Sequence, residues 1–99
     1  MLLSWLFGRR VHRQRPDLHV QLYTRRGCHL CEDAWTTLDE ARQCHGFTLE
    51  TVDIDTSAEL VAQYGTCVPV VTVNGKVRFR GTVNRVLLQR LLDARPAAG

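Results

Sequence analysis

No apolar run in the 99 residues approaches the ~20 that a membrane-spanning helix needs, so an integral helical membrane protein is excluded. Glycine, at 7, and proline, at 3, are too sparse for a collagen-like or low-complexity chain. Cysteine is scarce as well: four fall short of the more than ~8–10% that marks a small secreted disulfide scaffold, so each has to be read on its own. The length leaves room for one core and argues against most multi-domain enzymes. Acids are nearly missing from the first 26 residues, where Asp17 stands alone against Arg9, Arg10, Arg13, Arg15, Arg25 and Arg26, giving +5. The formal net charge is +3, so the remainder sums to −2. A near-neutral body carries a basic front.

What is present, at 44% hydrophobic and 23% charged, suits a soluble globular domain. The front opens Met1-Leu2-Leu3-Ser4-Trp5-Leu6-Phe7 with its arginines behind the apolar stretch, whereas a secretory signal carries charge ahead of it and ends in a small-residue cleavage pattern. A cytoplasmic protein is therefore expected. Such an arm can lie on an anionic membrane surface, fray, or pack on the body. The expectation is a flexible basic extension over residues 1–17 without membrane contact, a domain over 18–94, a tail over 95–99, and a monomer.

From Leu18 the pattern is periodic. Residues 18–24 alternate apolar and polar side chains of β-favouring type, predicting a strand with one buried face. From Cys28 to about Cys44 the apolar positions Cys31, Ala34, Trp35, Leu38 and Ala41 recur at three- and four-residue steps, predicting an amphipathic helix ended by Gly46. Residues 47–54 alternate again. Asp55, Thr56 or Ser57 then caps a short helix over 57–64, with Thr56 and Glu59 spaced as a capping box and Gly65 closing it. Asn74-Gly75 between strands 68–73 and 76–80 is a strong hairpin signal, because both turn residues must take positive φ. Asn84 caps a last helix whose stripe holds Val86, Leu87, Leu91 and Leu88 or Leu92, ended by Arg95 and Pro96. The order βαβαββα predicts an α/β fold, a four-stranded mixed sheet with helices on both faces. Ligands of such sheets gather beyond the carboxyl ends of the parallel strands, here the loop 24–27.

Cys28-His29-Leu30-Cys31 lies at that place. Thiols at i and i+3 on a helix's first turn face the same way, ~5–6 Å apart at Cβ, so a small adjustment joins them. The helix's free amides and dipole, with Arg25 and Arg26 close by, favour a thiolate at Cys28, while Cys31 one turn in is shielded. The expected chemistry is thiol–disulfide exchange, with Cys28 as nucleophile and Cys31 as resolving thiol. Other readings of the pair stay open: two small buried hydrophobes, half of a zinc site, or a cluster bridged between subunits. Zinc needs four ligands, and the adjacent Cys44-His45 lies about 24 Å away down the same helix; no metal is expected. A binding module without turnover uses the same surface. Six arginines without stacking aromatics make a weak nucleic-acid footprint, and none is expected.

Leu22-Tyr23-Thr24-Arg25-Arg26-Gly27-Cys28-His29-Leu30-Cys31-Glu32, Val52-Asp53-Ile54-Asp55 and Val68-Pro69-Val70 together resemble the small glutaredoxin-like proteins of the thioredoxin superfamily, over residues 18–94. The resemblance implies the thioredoxin/glutaredoxin fold and a dithiol oxidoreductase that reduces protein or glutathione mixed disulfides, with glutathione or a reductase as electron donor and no tightly bound cofactor. It implies that Pro69 is cis, that Val68 offers its backbone to an extended peptide or glutathione, and that Arg25 meets a glutathione carboxylate. Gly81-Thr82-Val83-Asn84 departs from the Gly-Gly-x-Asp-like turn of glutathione users, and Leu22 stands where thioredoxins keep a buried aspartate. Arg26, His29 and Cys67 are auxiliary candidates: His29 either assists the Cys28 thiolate or is solvated, and Cys67 is either a third redox thiol or a small loop residue.

Overall fold

The computed structural model describes residues 13–94. The alternation at the front of the domain becomes strand β1 (His19–Thr24), with Val20 and Leu22 buried. Helix α1 (His29–His45) follows, then β2 (Thr48–Asp53), a 3-10 turn (Ile54–Thr56), helix α2 (Ala58–Tyr64), β3 (Val70–Val73), β4 (Lys76–Arg80) and helix α3 (Arg85–Asp93). The sheet order is β2-β1-β3-β4. β1 and β2 run parallel, as strands joined by a helix do, while β3 is antiparallel to both β1 and β4.

Side chains alternate across the sheet, so it has two apolar faces. On one, Leu22, Val71, Val73 and Phe79 pack with Ala34 and Leu38 of α1 and Leu88 and Leu92 of α3. On the other, Ile54, Tyr64 and Val70 meet Tyr23, Leu60 and Val61. Helices therefore cover both faces, as expected. β3, a central strand, is buried at all four positions.

The termini of the elements follow side-chain chemistry. Gly46 closes α1 at φ 69, a conformation costly for any residue with a Cβ, and its N–H donates to the Arg42 carbonyl. Asn74 (φ 50) and Gly75 (φ 84) form the hairpin turn. Asn84 caps α3 through a bond from the Leu87 N–H. Several expectations are corrected in detail. Ser57 caps α2, accepting from Leu60 N–H, while Thr56 donates its hydroxyl to the Asp53 carbonyl, so the Thr56–Glu59 box does not form. β3 begins at Val70 and not at Val68, because the sheet ladder ends at the Tyr23–Val70 pair. α3 faces the core with Leu88, Leu91 and Leu92, leaving Val86 and Leu87 in its first turn exposed.

Ahead of the expected start of the domain, the described part of the basic front packs on the body, one of the alternatives its sequence leaves open. Arg15 is buried, 5% exposed. Its guanidinium donates to the carbonyls of Leu91, Leu92 and Ala94 at 3.0, 3.0 and 2.8 Å, and pairs with Asp17 at 3.0 Å. Its own N–H donates to the His45 carbonyl, and Nδ1 of buried His45 meets the Arg13 carbonyl at 2.6 Å. Residues 13–17 thus belong to the folded body, since the last carbonyls of α3 need a cation and Arg15 supplies it. The apolar tip at residues 1–7 lies outside the described residues, as does the tail 95–99.

Candidate functional site

Cys28 is the N-cap of α1. Its backbone is extended (φ −95, ψ 104), and its sulfur accepts a hydrogen bond from the Cys31 N–H at 3.1 Å. A helix needs an acceptor at this place for one of its four unpaired amides, and here a sulfur supplies it where serine or aspartate is usual. The two cysteines form a disulfide with Cα atoms 5.2 Å apart. Cys31 is buried at 4% exposure and Cys28 is half-buried, so attack from outside reaches Cys28 first.

The loop that carries the pair ends β1, and Arg25 fixes it to the end of β2. Its guanidinium contacts the Asp55 carboxylate three times, at 2.8, 3.1 and 3.1 Å, and the Gly65 carbonyl at 3.3 Å. Hydrogen bonding to Asp55 raises the Arg25 pKa further. Val68-Pro69 is a cis peptide bond, with Pro69 buried and its carbonyl accepting from the Gly81 N–H. Because Val70 pairs with Tyr23, this bond sits at the sheet end from which the cysteine loop leaves.

A family model described as a glutaredoxin-like domain (DUF836) matches residues 19–93. The chain belongs to this glutaredoxin-like family. A curated relative from Methanothermobacter thermautotrophicus, named Probable Thioredoxin, is 32% identical over 71 residues, which are 69% of this chain and 84% of the relative. A structural genomics target protein from X. campestris superposes at TM-score 0.64 with 34% identity, covering 78% of this chain and 99% of its own. An N21Q mutant thioredoxin from Halobacterium salinarum, at 16% identity and TM-score 0.61 over 81% of this chain and 75% of its own, shares the fold. The glutaredoxin-like fold with its Cys28–Cys31 pair supports a thiol redox role.

In this glutaredoxin-like domain the expected residues divide. Cys28, Cys31, Arg25 and Arg26 line one cleft of about 420 Å³. The Arg25 guanidinium is already held by Asp55, so a glutathione carboxylate there would compete with a residue of the chain. The His29 side chain is 94% exposed, with Nδ1 3.7 Å from Glu32, which is the solvated alternative. Cys67 packs beside the Ile54 cluster, and its sulfur accepts from Arg80 at 3.5 Å. Cys44 is free and exposed. Among the described residues no three His, Cys, Asp or Glu gather as a metal set, and no helix is long and apolar enough to cross a membrane.

Two site residues escaped the sequence. Trp35 reads as core from its helical spacing, yet it is 45% exposed and lines the cleft with Thr51. Its place four residues after Cys31 and seven after Cys28 was the available signal. Asp55 reads as a helix cap, and nothing in the sequence ties it to Arg25.

Proposed function

We propose that this protein is a thiol–disulfide oxidoreductase of the dithiol type, acting on protein disulfides or on protein–glutathione mixed disulfides. The observation that carries the reading is the Cys28 sulfur at the cap of α1, accepting the Cys31 N–H, with Cys31 buried behind it. Amide donation and the helix dipole stabilise negative charge on that sulfur once the pair is reduced. The Cys28 thiolate attacks one sulfur of the target disulfide; a Cys28–target S–S bond forms and the other target sulfur leaves as a thiolate and takes up a proton. Cys31, losing its proton, attacks Cys28, the internal disulfide closes, and the second target sulfur leaves. Two electrons pass from the dithiol to the target. A thiol donor, glutathione or a dithiol reductase, then reopens the pair. No residue has to unfold, because the Cα atoms are already 5.2 Å apart.

Val68 lies beyond the end of the sheet ladder, which suits it to pairing with an extended target chain. Disulfide reduction coupled to glutathione or to thioredoxin reductase tests the reading. Wild type is expected to turn over and Cys28→Ser to lose at least a thousandfold, as removal of a nucleophile does. Mass spectrometry of Cys31→Ser after exposure to glutathione disulfide should find the adduct on Cys28. A wild type without turnover under either donor overturns the assignment.

A further inference from the structure

Cys28, Cys31 and Trp35 stand at spacings of three and four along α1, which places them on one helix face. Trp35 is nearly half exposed although it is the largest apolar side chain on that face, and it walls the cleft into which the disulfide opens. Thr51 of β2, the strand at one end of the sheet order among the described residues, lines the same cleft. Arg26 lines the same cleft, is exposed, and makes no ion pair among the described residues, whereas Arg25 beside it is held by Asp55.

We propose that Trp35 determines specificity by seating an apolar side chain of the target polypeptide, in a cleft that takes the extended segment flanking the target cysteine, with an acidic side chain set against Arg26. The proposal rests on the disulfide-exchange reading, because the mixed disulfide is what brings the segment here: with the target sulfur bonded to Cys28, its neighbouring residues have to lie along the adjoining walls. The distance fixes a register. Seven helical residues rise about 10.5 Å, and an extended chain covers ~3.3 Å per residue, so the apolar side chain belongs about three residues from the target cysteine. A small disulfide has nothing to place on Trp35. Glutathione, with one residue on either side of its cysteine, does not reach it.

The test uses peptides whose cysteine is activated as a mixed disulfide with thionitrobenzoate, in a protein carrying Cys31→Ser, Cys44→Ser and Cys67→Ser, so that Cys28 is the one thiol and the reaction stops after one exchange. Cys28 attacks the peptide sulfur, the peptide–thionitrobenzoate bond breaks, the Cys28–peptide bond forms, and the coloured thiolate leaves. A single phenylalanine is moved from one to five residues either side of the cysteine, and each rate is divided by that of the 2-mercaptoethanol–thionitrobenzoate disulfide. The ratio should peak about tenfold above a glycine peptide when phenylalanine is near the third position. Trp35→Ala should flatten the peak and Trp35→Phe restore most of it, while Arg26→Glu should turn a preference for a neighbouring aspartate into one for lysine. A peak that survives Trp35→Ala, or no peak at all, overturns the proposal and leaves the exchange reading intact. Absence of thionitrobenzoate release from any substrate overturns both.

Discussion

Arg25 has one guanidinium and two claims upon it. The family resemblance assigns it to a glutathione carboxylate, and the structure commits it to Asp55 through three contacts between 2.8 and 3.1 Å. Both groups sit near the surface, at 38% and 43% side-chain exposure, so the pair is of the kind that contributes little to stability and exchanges readily. Glutathione binding would then replace one carboxylate by another, and the cost of releasing Asp55 would appear in KM. Asp55→Ala is expected to lower KM for a glutathione mixed disulfide by about two- to fivefold, the equivalent of an exposed ion pair. Steady-state kinetics of deglutathionylation measures it. An unchanged KM would place the glutathione carboxylate elsewhere and leave Arg25 as the clamp between the ends of β1 and β2.

At the scale of the element, α1 supports the site through its first turn. That turn is stabilised by a sulfur that also reacts in the exchange proposed above, so stability and that chemistry would draw on the same amide of Cys31. The middle of the helix has its own polar brace: Asp39 accepts from Nε and Nη2 of Arg42, at 3.0 and 2.6 Å, and from Gln43 at 3.0 Å. The Arg42 guanidinium holds the Asp39 carboxyl below its ordinary value of 3.8. A carboxyl depressed in the folded state stabilises the fold fully above its unfolded value, and that contribution is lost as pH falls through the folded value. Urea unfolding as a function of pH should therefore show Asp39→Asn less stable than wild type at neutral pH, with the two curves converging below about pH 4. Curves that stay parallel into the acid range would mean the brace is carried by shape and not by charge. Removing apolar packing has a larger effect: fully buried Leu38 on the same helix, changed to alanine, should cost about 2–5 kcal/mol in denaturant unfolding.

Across the whole molecule, what the sequence revealed was what local physics decides. Alternation at Val20 and Leu22, helical spacing from Ala34 to Leu38, the Asn74-Gly75 turn and the Asn84 cap each depend on neighbours a few residues away, and each forms where it was read. The adjacency of Cys28 and Cys31 was legible for the same reason, its geometry being one turn of helix. What stayed hidden were partnerships across the chain: Arg25 with Asp55 30 residues on, Trp35 with Thr51, and Arg15 with carbonyls 76 to 79 residues on. Arg15 shows how charge counting misleads. Counted with the basic front of the chain, it suggests a solvated arm, yet the carboxyl end of α3 presents carbonyls without helical partners and a cation is the group that satisfies them. Residues 13–17 consequently contact the folded body, and how much they stabilise it is open to test. A chain begun at Arg13 should keep those bonds, whereas one begun at Leu18 leaves the α3 carbonyls and the His45 carbonyl without them. Buried groups stripped of a charged donor cost on the order of 2 kcal/mol or more, which for a domain of this size is a fall of roughly 10 °C in Tm. Arg15→Met in the full chain keeps the aliphatic stem and removes only the donors, so it should reproduce most of the fall. Calorimetry of the three proteins decides it: equal melting temperatures would return residues 13–17 to the extension, and a fall in the shortened chain without one in Arg15→Met would assign the anchoring to the backbone bonds of residues 13–17.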